Sequence, residues 1–264
     1  MTTLQVFVDG VGVYAPGLNG WAHARTVFAA PQTYQATHLQ LPSIDSLPAA
    51  ERRRLGVAVK LAMAAGYDAT QQSLIDLQQL ATVFASSAGD CDNCHHILEA
   101  LSSSDRAISP TRFHNSVHNA AAGYWSIASG SQKPSTSLSA YDAGFGAALL
   151  EAASQIRSNA QPCLLVAFDT PYPQPLHDLR KIANPFGVAL LLTPQRQTTT
   201  LCGLTLELTQ EPAHPMSTPD LETIRCNVPA ARALPLLSAL ATLQPQNLVI
   251  EYLPGLNLAI TLQP

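Results

Sequence analysis

The segment from Asp142 to Arg157 constrains the fold most. Phe145, Ala148, Leu149, Ala152 and Ile156 recur at spacings of three and four, which predicts an amphipathic helix. A hydroxyl-rich strand, Ser135 to Ala140, precedes it, and a short apolar strand, Cys163 to Phe168, follows it. Strand and helix patterns alternate in this way along most of the chain, which argues for a layered α/β fold.

The other elements extend that alternation. Gln5 to Tyr14 reads as a strand whose two glycines introduce a kink or turn. Helices are expected at Trp21 to Ala29, Ala49 to Ala65, Gly89 to Leu101 and Ala120 to Ala128. Leu80 to Ala85 and Gly187 to Leu192 are further buried strands. Ser109-Pro110 opens a loop, and Tyr172 to Pro185 is a proline-rich excursion. After Thr193 the texture changes. Leu204, Leu206 and Leu208 alternate with polar residues, Pro229 to Leu243 reads as a helix despite Pro235, and Pro254-Gly255 joins two strands in a hairpin.

Composition narrows the function. Of 264 residues, 47% are hydrophobic and only 12% charged, which excludes a disordered chain and suggests a surface partly covered by a partner. The net charge of -4 offers no basic field for nucleic acid. No apolar run approaches the roughly 20 residues of a membrane span, and the N-terminus lacks a signal-peptide pattern. The expectation is a cytoplasmic protein. Five cysteines, an odd number partly in strand-like runs, argue against a disulfide framework.

Two stretches carry a family resemblance. Ser109 to Ile127, SPTRFHNSVHNAAAGYWSI, resembles the ketosynthase stretch that begins Ser-Pro, reaches an asparagine and closes Ala-Gly-x-x-Ser-Ile. Pro134 to Gly144, PSTSLSAYDAG, resembles the ketosynthase strand that ends Thr-Ala-Cys-Ala-Ser/Thr-Gly and feeds the nucleophile helix. Registered on Pro134 and Thr136-Ser137, the pattern places the family's cysteine at Asp142. The resemblance runs from Val6 to Leu192 in order and spacing. It is narrowest to the short chain length factors of bacterial aryl polyene and related polyketide pathways, which share the stretch from Phe113.

The resemblance implies a thiolase-like α/β/α/β/α fold. Its first half is complete over residues 1–193, and residues 194–264 form a much reduced C-terminal α/β portion on the same core. It implies a heterodimer with a catalytic ketosynthase, whose acyl tunnel this chain would shape while a chain grows on an acyl carrier protein. No cofactor and no metal are expected. A ketosynthase needs a thiolate at a helix start, and an aspartate forms no acyl thioester. The family's two later histidines are also missing, because His214 is the only histidine after Thr193 and sits in no family motif. Asp142 then reads as a helix N-cap or, alternatively, a catalytic carboxylate. In the alternative function, Asp142, Ser139 or Tyr141 supports decarboxylation or hydrolysis of a carrier-bound acyl group. A stand-alone acyl-binding protein is a third reading.

The resemblance also assigns surfaces. Phe113, His114, Val117, His118, Asn119 and Leu138 are expected at the tunnel end and dimer interface, against ordinary core packing. Arg52, Arg53 and Arg54 are expected either to steer an acidic carrier protein or to form a solvated face. Cys91-Asp92-Asn93-Cys94-His95 matches a haem-attachment pattern. A helix surface is the plainer reading, and a zinc site with His96 is a third. His114 and His118, four apart, form a metal-capable pair only on a continuous helix.

Overall fold

The computed structural model describes residues 3–71 and 73–264. In chain order the elements are β1 (Leu4–Ala15), β2 (Leu18–Asn19), α1 (Trp21–Ala29), α2 (Ala49–Arg52), α3 (Val57–Thr70), β3 (Ala81–Ala85), α4 (Cys91–Ser102), α5 (Pro110–His114), α6 (Ala120–Ser129), β4 (Ser135–Leu138), α7 (Gly144–Asn159), β5 (Cys163–Asp169), α8 (Leu176–Leu179), β6 (Phe186–Thr193), β7 (Cys202–Thr209), α9 (Pro219–Asn227), α10 (Leu234–Thr242), β8 (Gln246–Leu253) and β9 (Leu256–Gln263).

The strands form one sheet in the order β4-β3-β5-β6-β1-β7-β9-β8, with β2 beside β1. β3 runs parallel to β4 and β5, and the remaining pairings are antiparallel. Every residue of β3, β5 and β6 is buried, as expected of continuous apolar strands covered on both faces. On one face α3 and α6 enclose Leu61, Met63, Phe84, Trp125 and Leu164. On the other, α1, α7 and α10 enclose Val8, Phe145, Leu149, Leu165 and Leu237. Helix α7 packs on β1, β3 and β5 and also touches β8, so the sheet curls around it. The layered α/β arrangement is therefore present, with β7, α9, α10, β8 and β9 as its short later part.

The two glycines of β1 make no turn. The strand runs through them, with a register shift between Val8 and Gly10 that leaves Asp9 bulged. A Cβ on Gly10 would lie 1.9 Å from the Ala69 carbonyl oxygen, and one on Gly12 would lie 2.0 Å from that of Ala65. The glycines let α3 rest directly on the strand backbone.

Several other boundaries differ from the sequence reading. The helix expected over Ala49 to Ala65 is two helices, α2 and α3, because Leu55 turns into the core and Gly56 adopts an extended conformation before α3. The loop expected at Ser109-Pro110 is a short helix. Ser109 Oγ accepts from the Arg112 N–H at 3.5 Å, and Pro110 takes the first position, where no N–H is needed. Strand β4 stops at Leu138. The helix expected from Asp142 begins at Gly144, after a 3-10 turn over Tyr141–Ala143. The helix expected from Pro229 begins as a 3-10 turn, Pro229–Ala233. Pro235 then falls in the first turn of α10, where its missing N–H costs nothing. The hairpin at Pro254-Gly255 is as expected, with Gly255 at φ 76°.

Candidate functional site

The parallel strands β3, β4 and β5 end on one side of the sheet, the usual location of ligand sites in α/β folds. Ser86 and Ser87 follow β3, Ser139 follows β4, and Asp169 ends β5. Asp169 is buried. Its Oδ1 accepts from Ser87 N at 2.9 Å and Ser87 Oγ at 2.6 Å, and its Oδ2 accepts from Ala230 N at 2.9 Å. Burial raises its pKa, while these donors act in the opposite direction. Tyr172 OH joins Ser87 Oγ at 2.9 Å, and Ser139 Oγ donates to the Ser87 carbonyl at 2.9 Å.

The turn between β4 and α7 is strained. Tyr141 has φ 52°, a left-handed conformation that costs a non-glycine residue about 1–2 kcal/mol. Its ring is 65% exposed and carries the Arg180 guanidinium 3.6 Å from its centroid. The same guanidinium lies 5.9 Å from the Tyr172 ring.

Asp142 is no N-cap. Ala143 holds the cap position of α7, and no side chain bonds there. The 3-10 turn moves the helix start past Asp142, and its carboxylate is drawn to arginines instead. Arg180 Nη2 donates to Oδ1 at 2.6 Å, and Arg232 Nη2 lies 3.6 Å from Oδ2. Arg232 Nε then lies 3.0 Å from Glu251 Oε2, out of line for a hydrogen bond, so this contact is a charge pair. Arg225 Nη1 reaches the same Oε2 at 3.1 Å, and Arg225 also grips Glu222 through two bonds of 2.6 and 2.7 Å. Those bonds hold the Glu222 carboxyl down to about 2. The result is an alternating chain, Arg180–Asp142–Arg232–Glu251–Arg225–Glu222. It ties α9, the Pro229–Ala233 turn and β8 to the start of α7. A cleft of about 580 Å³ beside it is lined by Tyr141, Asp142, Arg232, Glu251, Tyr252 and Asn257, among others.

The residues expected at an interface gather in a second place. Phe113 is 67% exposed and Val117 53% exposed, so neither is a core residue. With His114, Asn119, Tyr124 and Ile127 they line an open groove of about 430 Å³. The His114 ring meets the Tyr124 ring edge-on at 6.4 Å. His118 Nε2 lies 3.1 Å from the Ser86 carbonyl, a bond within the chain rather than across a seam. Leu138 ends β4 and packs, half-buried, against the core.

His114 ends α5, so His114 and His118 share no helix and lose the spacing of a metal pair. Cys91 points inward, where burial pushes its thiol up to about 11, and His95 Nε2 lies 3.3 Å from Glu99. Among the described residues no group of three or more His, Cys, Asp or Glu is placed to hold a metal ion. Arg52 pairs with Asp45 and Arg54 with Glu51, each at 3.1 Å. Among the described residues no helix is long and apolar enough to cross a membrane.

Arg180, Arg232, Glu251, Arg225, Glu222 and Asp169 were not singled out from the sequence. They come from separate segments, and each looks like an ordinary charge in its own segment. The one available signal was an arginine inside the proline-rich excursion.

The beta-ketoacyl synthase N-terminal domain family matches residues 23–246. No curated protein matches the chain. Among solved structures, "Ketosynthase (ApeO) in Complex with its Chain Length Factor (ApeC)" from Xenorhabdus doucetiae is similar with a TM-score of 0.75 and 24% identity, over 98% of this chain and 99% of that chain. A type II PKS acyl-carrier protein in complex with its ketosynthase bound to the hexaketide, AntDE:AntF, gives a TM-score of 0.78 at 14% identity, over 99% of each chain. The ishigamide ketosynthase/chain length factor gives 0.74 at 12% identity, over 98% and 99%. At these identities the likeness is one of fold, and that fold is thiolase-like with a reduced second half.

Proposed function

Because this chain belongs to the beta-ketoacyl synthase family, we propose that it is a non-catalytic chain length factor that heterodimerises with an active ketosynthase. In that complex it bounds the partner's acyl tunnel while the chain grows on an acyl carrier protein. The observation that carries this reading is the turn before α7, which holds a strained tyrosine and a salt-bridged aspartate and no thiol.

We read the lost nucleophile in a second register, one residue before Asp142. The motif Thr-Ala-Cys-Ala-Ser/Thr-Gly has an alanine and a glycine four apart. Ala140 and Gly144 match that spacing, which sets the cysteine on Tyr141. The left-handed backbone of Tyr141 at the top of the strand–turn–helix supports this register. Asp142, next along, serves the charge chain.

Two buried thiols and the late histidine do not replace the missing nucleophile. Burial pushes the thiols of Cys163 and Cys202 up to about 12, which leaves them unreactive as thiolates. His214 is bound to the edge of β8, where its Nδ1 accepts from Val249 N at 2.8 Å. The exposed groove at Phe113 and Val117 supports the partner-facing role of that segment. We assign carrier-protein steering to the face carrying Arg52, Arg53 and Arg54.

Co-expression with a ketosynthase followed by size exclusion tests the reading. The expected result is a heterodimer without turnover by the isolated subunit. A well-behaved monomer with no affinity for the ketosynthase sinks it. Turnover of a carrier-bound acyl group that vanishes in Asp142→Ala would favour the enzyme instead.

A further inference from the structure

We propose that Tyr141 is a preorganised anchor that inserts into the ketosynthase subunit, an inference that rests on the heterodimer reading above. Its backbone is strained, yet its ring is 65% exposed, so packing in its own core does not account for the strain. Strain of this kind persists where surrounding contacts hold it for a function. Here the contact on the ring is with an arginine. The Arg180 guanidinium covers it at 3.6 Å and is itself fixed by Asp142 at 2.6 Å. Tyr141 also borders the open cleft of about 580 Å³ beside the charge chain.

This is the physics of an interface hot spot. Tyrosine and arginine are the residues most often found there, and a side chain already held in place loses little entropy on binding. Arg180 has its charge balanced by Asp142, so docking onto the ring leaves no unpaired cation. Leu179, the residue before Arg180, is 87% exposed and adds apolar area.

The ketosynthase is the occupant that fits, because the Tyr141 turn and the segment bearing the Phe113–Val117 groove are both tied to the Ser86–Ser87 loop. His118, beside Val117, bonds the Ser86 carbonyl, and Ser139, two residues before Tyr141, bonds the Ser87 carbonyl. The two exposed segments are thus pinned to adjacent residues of one loop. A single protein face can cover both.

The test measures two quantities on four chains: wild type, Tyr141→Phe, Tyr141→Ala and Tyr141→Gly. The first is affinity for the ketosynthase in the co-expressed complex, by titration of purified subunits. The second is the melting temperature of each chain alone. Tyr141→Ala and Tyr141→Gly should both weaken binding by roughly thirtyfold or more, and Tyr141→Phe by no more than a few-fold. Glycine relieves the left-handed strain that alanine keeps, so the glycine variant should melt roughly 2–4 °C above the alanine variant. Equal binding by wild type and both truncated variants overturns the anchor and leaves the heterodimer reading standing. Equal melting of the alanine and glycine variants overturns the strain argument and the inference with it. Failure of the wild type to bind overturns the heterodimer reading itself. Weaker self-association of the truncated chains with unchanged ketosynthase binding assigns the anchor to a second copy and overturns it as stated.

Discussion

Arg180 Nη2 donates to Asp142 Oδ1 across 2.6 Å, joining the excursion after β5 to the start of α7. Arg180 is mostly buried while Asp142 is half exposed, so this pair lies between surface and interior. Loss of the carboxylate leaves a shielded guanidinium without its counter-charge, which costs more than an exposed pair returns. Asp142→Asn should therefore lower stability by about 1–2 kcal/mol in urea unfolding. An unchanged midpoint would show that the pair is incidental.

Acid should weaken the other end of the charge chain. Arg225 holds Glu222 down to about 2, below the ordinary glutamate value of 4.5. A depressed carboxyl contributes stability that is fully present above the unfolded pKa and is lost as pH falls through the folded one. The Glu222 contribution should thus disappear between about pH 4.5 and pH 2. Glu222→Gln should remove that part of the acid dependence, so melting curves of the two chains over this window should converge toward its low end. Parallel curves would count against the assignment.

The glycines of β1 should be the least replaceable residues of the fold. A Cβ on Gly12 would meet the Ala65 carbonyl oxygen at 2.0 Å, and backbone cannot move aside as a side-chain tip can. Gly12→Ala should destabilise by about 3 kcal/mol or more, consistent with overpacking of a close backbone contact. Expression yield and thermal melting both read this directly.

His214 closes the free edge of β8. Its N–H donates to the Val249 carbonyl and its Nδ1 accepts from the Val249 N–H, each at 2.8 Å, as a neighbouring strand would. Edge strands left open invite pairing with other chains. His214→Ala should speed amide exchange at Val249 and raise self-association at high concentration. His214→Asn, which keeps a side-chain acceptor, should restore part of the protection.

The open groove should respond to charge. Phe113→Asp places a carboxylate on an exposed apolar patch, so the isolated chain should keep its melting point while ketosynthase binding falls by tenfold or more. A folded variant that binds normally would remove this groove from the interface.

The local pattern determined a good deal. The spacing of Phe145, Leu149, Ala152 and Ile156 gave α7, and the apolar runs gave β3, β5 and β6. Pro254-Gly255 gave the last hairpin. These are short-range properties, and neighbours in sequence suffice to express them. The order and spacing of the two motifs at residues 109–127 and 134–144 likewise pointed to the family. Tertiary structure decided the rest. It split the helix expected over residues 49–65, because Leu55 is taken by the core. It turned two glycines from a bend into a helix seat, because α3 needs room above β1. Above all it decided the role of Asp142. A carboxylate at a helix start has a local use as a cap, but Arg180 and Arg232 arrive from 38 and 90 residues away and offer opposite charge in a partly dry setting. The cap yields to that attraction, and no reading of neighbouring residues contains either arginine.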